Sequence, residues 1–95
     1  MAPEQIRADT VGPATDVYGL ACVMVCALTG APPFADRSGM SVLWAHLQEE
    51  PPDPRQLRPE LSDGLVAAVM KGLAKDPEDR PQSTLEYASD VDAAA

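Results

Sequence analysis

The sequence predicts an all-α fold in which about four to five helices surround one fully apolar central helix. Apolar residues recur at helical spacing between proline and glycine breaks, and no alternating strand pattern of useful length is present. The central helix is predicted from the segment Val17 to Leu28, which contains no charged residue. A helix that is apolar on all sides has to be covered on all sides, so the other helices are expected to pack around it.

A break separates the first predicted helix from the central one. Residues 1–8 accommodate one short helical turn, because proline is tolerated in the first turn of a helix. Gly12-Pro13 then interrupts the chain. The central helix is predicted to begin near Thr15 or Asp16, since either side chain can cap it, and to extend to about Thr29.

The third predicted helix lies between two proline-containing segments. Gly30 is a suitable stop signal for the central helix, and Pro32-Pro33 prevents its continuation. The third helix is predicted over residues 39–48. Residues 49–59 contain four prolines, which predict an extended and stiffened connector.

The last two predicted helices carry start signals. Ser62 is a good cap for the fourth helix, whose apolar side chains repeat at helical spacing. Asp76-Pro77 is expected to end it. Residues 83–86 read S-T-L-E, a capping-box pattern that predicts the start of the fifth helix.

Length, charge and cysteine content exclude several functions. The 95 residues allow one domain at most. With 15 acidic and 7 basic residues, the net charge of −8 argues against binding of nucleic acid or of an anionic membrane. The apolar run of 12 residues is too short for a membrane span, and no signal peptide is predicted. Two cysteines indicate a reducing compartment, so we expect a cytoplasmic location.

The apolar central helix raises a problem of cover. A domain of this size buries only about 60–65% of its unfolded surface. The few other short elements leave too little protein to enclose an apolar helix completely. We therefore expect either that a partner completes the cover or that the chain is part of a larger domain.

Four motifs occur in order along the chain. A-P-E stands at residues 2–4, D-V-Y-G-L at 16–20, L-T-G and P-P-F within 28–34, and L-A-K-D-P-E-D-R-P at 73–81. A-P-E ends the activation segment of protein kinases, and the other motifs resemble the two ends of kinase helix F and the segment before the final helix. The chain therefore resembles the C-terminal part of the C-lobe of a bacterial Hanks-type serine/threonine protein kinase.

The resemblance implies a partial protein kinase domain over residues 1–95, from the end of the activation segment through the last C-lobe helix. The N-lobe with its Gly-rich loop and V-A-I-K lysine, the catalytic loop and D-F-G are absent. A complete parent kinase is expected to use ATP and Mg²⁺, whereas this chain is expected to bind no cofactor and to be catalytically inactive. Met1 is then interpretable as an internal methionine read as a start codon.

Two classes of function remain open. The chain is expected to be a fragment of an ATP-dependent serine/threonine kinase that supplies C-lobe scaffold and anchors the activation segment. Alternatively, it is a non-catalytic helical interaction module or a degenerate kinase remnant. The expected partners are the rest of a kinase domain, or a protein substrate or regulator.

The resemblance also implies structural roles for individual residues. Glu4 of A-P-E is expected to pair with Arg80, because these positions pair in kinases; two separate surface charges are the plainer interpretation. Asp16 is expected to hold the catalytic loop of a complete kinase, or only to cap the central helix of this chain. Val23 and Ala27 occupy positions on which kinases pack their hydrophobic spines, and an ordinary core position is nearly the same prediction.

A docking face is expected near the third helix. Phe34, Leu43 and Trp44, together with Met40, belong to the region that resembles kinase helix G, where kinases often dock substrates or partners. An exposed Trp44 would support a binding face, whereas burial in the core is an equally good interpretation.

No catalytic, cofactor-binding or metal-binding residue is predicted. Cys22 and Cys26 lie one helical turn apart, but a metal site would need two more ligands, so both are expected in the core. His46 has no nucleophile pattern around it and is expected on the surface of the third helix.

Overall fold

A computed structural model describes residues 2–95, and over that range the fold is all-α, as the sequence predicts. Five α-helices follow one another, with a short 3₁₀ turn before each of the last two. The helices are α1 Pro3–Ile6, α2 Pro13–Thr29, α3 Met40–Gln48, α4 Asp63–Lys71 and α5 Thr84–Ala94, and the 3₁₀ turns are Pro54–Gln56 and Pro77–Asp79.

The apolar core forms where α2 packs against α4 and α5. Gly72, directly after α4, lies so close to both neighbours that an added Cβ would be 2.8 Å from the Ala21 Cβ and 2.8 Å from the Tyr87 ring. The Tyr87 hydroxyl donates a hydrogen bond of 2.8 Å to the carbonyl of Val69 in α4. The buried residues of this apolar cluster are Ala2, Val17, Tyr18, Ala21, Val25, Val69, Leu73, Tyr87 and Val91.

One face of α2 is left uncovered. Val23 is 61% exposed, although the helix carries no charge between residues 17 and 28. Gly19, Cys26 and Ala27 are exposed on the same side of the helix. The expected core position of Cys26 is therefore wrong, whereas Cys22 is half-buried. This exposed apolar face agrees with the prediction that the other helices are too short to enclose the central helix completely.

Three of the predicted helix signals are confirmed. Gly30 ends α2 in the left-handed conformation, with φ of +85°. The Ser62 hydroxyl accepts a hydrogen bond from the Leu65 N–H at the start of α4. The Ser83 hydroxyl accepts one from the Glu86 N–H at the start of α5. Within residues 2–95, no helix combines the length and the hydropathy that a membrane span requires.

The predicted start of α2 is wrong. The helix begins at Pro13, with Gly12 rather than Thr15 or Asp16 as its N-cap. Proline suits the first helical position because its φ is preset and it has no N–H to leave unpaired. The Thr15 hydroxyl instead accepts a hydrogen bond of 3.2 Å from the Gly12 N–H, within the first turn.

The region between α3 and α5 differs from the prediction in two places. The connector is not extended throughout, because residues 54–56 form a 3₁₀ turn in which the Asp53 carboxylate accepts a bond of 2.9 Å from the Arg55 N–H. In addition, α4 ends at Lys71, before the predicted stop at Asp76-Pro77. The helix ends just before Gly72, because glycine has the lowest helix propensity after proline.

Candidate anchoring site around Arg80

Arg80 lies where three parts of the fold meet. Arg80 directly follows the 3₁₀ turn Pro77–Asp79 and lies against the first turn of α2, beside α1. The Arg80 side chain is fully buried and that of Glu4 is only 4% exposed. The structure thus brings together two residues that are 76 positions apart and that the sequence predicts to pair.

All five N–H groups of the Arg80 guanidinium donate hydrogen bonds. Nη1 donates to Glu4 Oε2 at 2.7 Å and Nη2 to Glu4 Oε1 at 2.8 Å. The remaining bonds go to the backbone carbonyls of Ala14 at 2.9 Å, Ala74 at 2.7 Å and Lys75 at 3.2 Å. A lysine has fewer donors and no planar fork, so it cannot reproduce this arrangement.

The Glu4 carboxylate has a second partner in α2. The Thr15 hydroxyl donates to Glu4 Oε2 at 2.7 Å. The bonds from Arg80 are the main reason why the pKa of Glu4 falls from its ordinary value of 4.5 to about 2, although burial opposes this shift. The carboxylate therefore stays ionised at neutral pH, where its pairing with Arg80 is complete.

A second set of contacts leads from Arg80 to α3. The guanidinium carbon lies 4.8 Å from the centroid of the Tyr18 ring, a cation–π contact. The Tyr18 hydroxyl lies 2.7 Å from His46 Nδ1. Tyr18 is fully buried and His46 is 6% exposed, so the expected surface position of His46 is wrong.

The surroundings of His46 fix its protonation. Burial is the main cause that lowers the pKa of His46 from 6.5 to about 4, and the positive charge of Lys75 adds to it. Burial also raises the pKa of the Tyr18 hydroxyl. At neutral pH the imidazole is therefore uncharged, and its Nδ1 shares a hydrogen bond with the Tyr18 hydroxyl.

Phe34 packs against His46 and closes the cluster formed by Arg80, Tyr18 and His46. Its ring meets the His46 ring edge-on, with centroids 5.1 Å apart, and it is 5% exposed. The Lys75 ammonium lies 5.3 Å from the Phe34 centroid and donates a bond of 3.1 Å to the Ala45 carbonyl. The docking prediction requires Phe34 and Trp44 to share an exposed face. Phe34 is instead buried and supports His46 from the inside of the fold.

The exposed part of the predicted docking face is smaller than expected. Met40 and Trp44 are 78% and 59% exposed and lie one helical turn apart on α3. Leu43 is half-buried at their side. The structure thus leaves two large apolar side chains of this region open to solvent.

The other positions singled out by the resemblance lie on the uncovered side of α2. Asp16 is exposed in the first turn of the helix, where a negative charge is favoured by the helix dipole. It does not cap the helix, so that alternative is wrong. Val23 and Ala27 follow on the same face and are exposed. None of the three contributes to the Arg80 cluster.

Phosphoryl transfer needs metal ligands and phosphate-binding groups. Across residues 2–95, no three His, Cys, Asp or Glu side chains converge in a way that could hold a metal ion. Phosphate-binding and metal-binding motifs of kinases are also missing from the sequence.

Sequence reasoning missed the inner residues of the site. Thr15, Tyr18 and His46 were assigned no role in it, because their partners lie 11 and 28 positions away. One signal was available. A tyrosine inside an apolar helix needs a partner for its hydroxyl, and the chain has a single histidine.

Comparison with known proteins now identifies the class of protein. The family model described as the protein kinase domain matches residues 1–90. The chain therefore belongs to the protein kinase family, and its helices form part of the C-lobe, as the four motifs predict.

Its curated relatives are bacterial serine/threonine kinases. The chain is 44% identical over 91 residues to the serine/threonine-protein kinase PknB of Mycobacterium leprae, covering 96% of this chain and 15% of that protein. It is 42% identical over 88 residues to PknH of Mycobacterium bovis, covering 93% and 15%. It is 37% identical over 93 residues to the probable serine/threonine-protein kinase SCO3848 of Streptomyces coelicolor, covering 98% and 14%. The chain thus spans 14–15% of the length of these relatives.

Proposed function

We propose that the chain supplies the lower C-lobe of a serine/threonine kinase, from the end of the activation segment through the last helix, and anchors that segment. The buried Glu4–Arg80 pair carries the proposal, with its two bonds of 2.7 and 2.8 Å. Because α1 has only 4 residues, it is far too short to be stable alone. Its position therefore depends on tertiary contacts, and the Glu4–Arg80 pair is a buried, two-bond contact of this kind.

We further propose that the chain does not transfer phosphate by itself. Phosphoryl transfer needs a positioning aspartate, metal ligands and a phosphate-binding lysine, and the motifs that carry them are absent from the sequence. ATP and Mg²⁺ would be held by the rest of a complete kinase. The uncovered face with Asp16, Val23 and Ala27 would receive the catalytic loop and the spine residues. The two free thiols suit a cytoplasmic site of action.

A chimera tests this proposal. The matching 91 residues of Mycobacterium leprae PknB would be replaced by the aligned residues of this chain, and transfer of phosphate from ATP to a serine-containing substrate protein would be measured. We expect activity within about tenfold of the parent, because a preserved scaffold keeps the catalytic groups in place. This chain alone should give no transfer.

Variants of the chimera show whether the anchor matters. Arg80→Ala should abolish activity. Arg58→Ala is the matched control, since Arg58 is an exposed arginine that pairs with Glu60 at 2.7 Å, and it should leave activity unchanged. A chimera that folds but is inactive would contradict the proposal.

A second candidate function is a non-catalytic interaction module. The exposed Met40 and Trp44 favour it, because large apolar side chains grouped at a surface mark interaction sites. A folded but inactive chimera would support this alternative over the scaffold.

A further inference from the structure

α3 packs beside α1 and lies outside the apolar cluster at the centre of the fold. Within the described chain, none of residues 40–48 belongs to the apolar cluster that joins α2, α4 and α5. Only Ala45 and His46 of this helix are buried. α3 therefore lacks the broad apolar interface that holds α2, α4 and α5 together.

The segments on either side of α3 do not fix its position. Gly39 precedes the helix with φ of +59°, a conformation in which it continues no regular structure. Glu49 follows it in extended conformation and leads into the proline-rich connector. Glu49 also pairs with Arg37 at 2.6 Å, but both side chains are about one-third exposed, and such surface pairs contribute little.

His46 makes the buried side-chain contact that links α3 to α2. Its Nδ1 lies 2.7 Å from the hydroxyl of Tyr18, which is itself fully buried. The Phe34 ring packs edge-on against the imidazole and closes the site. α3 also contacts α1, and the Lys75 ammonium donates a bond to the Ala45 carbonyl. The lysine side chain is a flexible four-carbon stem, so this bond constrains α3 weakly.

We propose that the Tyr18–His46 hydrogen bond is a latch that positions α3 on the body of the protein. His46 thereby sets the direction in which the exposed Met40 and Trp44 face. Removing either partner leaves the other polar group buried without a hydrogen bond, which costs free energy. Movement of α3 away from α2 relieves this cost by exposing the group to water. The consequence for docking rests on the proposed function, whereas the latch itself rests on the contacts between α2 and α3 alone.

Hydrogen exchange and tryptophan quenching test the latch in the chain as it exists. Amide exchange would be followed over residues 40–48, and acrylamide quenching would report on Trp44, the only tryptophan. In Tyr18→Phe and in His46→Leu, we expect the amides of α3 to exchange about tenfold faster relative to those of α2 and α4. Quenching of Trp44 should rise in both variants.

Two variants serve as controls. His46→Asn places a side-chain oxygen near the position of Nδ1, so it can still accept from Tyr18, and α3 exchange should return to within about twofold of wild type. Tyr87→Phe also removes a buried tyrosine hydroxyl bond, but one between α5 and α4. It should not loosen α3 more than the rest of the fold.

Three results would overturn the latch. The first is unchanged α3 exchange in Tyr18→Phe and His46→Leu. The second is equal acceleration in all helices, or complete unfolding of both variants, since either would make the bond part of the global core. The third is an unprotected α3 in the wild-type chain. No kinase partner enters the experiment, so failure of the latch is distinct from failure of the proposed scaffold role.

Discussion

Glu4 and His46 are buried next to α2, and both have lowered pKa values. The pKa of Glu4 is lowered to about 2, chiefly by hydrogen bonds from Arg80, and the pKa of His46 is lowered to about 4, chiefly by burial. For each group, the unfolded chain binds more protons than the folded chain at pH values between the lowered pKa and the ordinary pKa of that group. Stability must therefore fall as the pH is lowered through either interval.

The intervals predict a two-stage loss of stability in acid. Between about pH 6.5 and 4, folding forces His46 to stay neutral, and between about pH 4.5 and 2 it forces Glu4 to stay ionised. Each stage should cost about 3 kcal/mol of unfolding free energy. Denaturant unfolding at a series of pH values measures this directly.

Two variants separate the stages. His46→Asn removes the titrating imidazole and should flatten the upper interval alone. Glu4→Gln should flatten the lower interval alone. A stability that does not change between pH 7 and pH 3 would contradict the assignment of both groups.

The end of α4 lies close to two other helices, because Gly72 contacts α2 and α5. A methyl group at this position would stand 2.8 Å from the Ala21 Cβ and 2.8 Å from the Tyr87 ring, closer than carbon atoms pack. Gly72→Ala should therefore destabilise the fold by about 1–3 kcal/mol through overpacking, measured by thermal or denaturant unfolding.

Gly64, which lies in the first turn of α4, provides the control. A Cβ added there meets nothing within 4 Å, and alanine has the higher helix propensity. Gly64→Ala should be neutral or stabilising by up to about 1 kcal/mol. Equal effects of the two substitutions would show that helix propensity, and not the contact of Gly72 with its neighbours, determines the result.

The sequence predicts the helices better than their connections and their inner contacts. Ser62, Ser83 and Gly30 act locally, so their signals are readable from a few neighbouring residues. The position of His46 is decided by Tyr18, which lies 28 residues away, and no local pattern reports it. The pairing of Glu4 with Arg80 was predicted only because the motifs resemble those of a known family.

Across the whole molecule, the buried pair joins α1 to the segment that leads into α5. Glu4 lies in α1 and Arg80 directly follows the turn Pro77–Asp79, so the pair closes a loop of the chain that contains α2, α3 and α4. The uncovered face of α2 is separate from this pair, and Val23 on that face is 61% exposed. The fold is thus complete around Arg80 and open where a complete kinase domain is proposed to continue.

A double-mutant cycle on Glu4 and Arg80 tests this account most directly. Unfolding free energies would be measured for Glu4→Gln, for Arg80→Met and for both together. Each single substitution should cost about 3–5 kcal/mol, because it strands a buried charge. The double variant should be little worse than either single one, giving a coupling energy of at least about 2 kcal/mol.

The exposed pair Arg58–Glu60, with its bond of 2.7 Å, is the control cycle. Its coupling energy should be close to zero, because solvent screens both charges. The account predicts a Glu4–Arg80 coupling well above that of the exposed pair. Equal coupling energies in the two cycles would contradict it, since Glu4 and Arg80 would then hold the fold together no better than two surface charges.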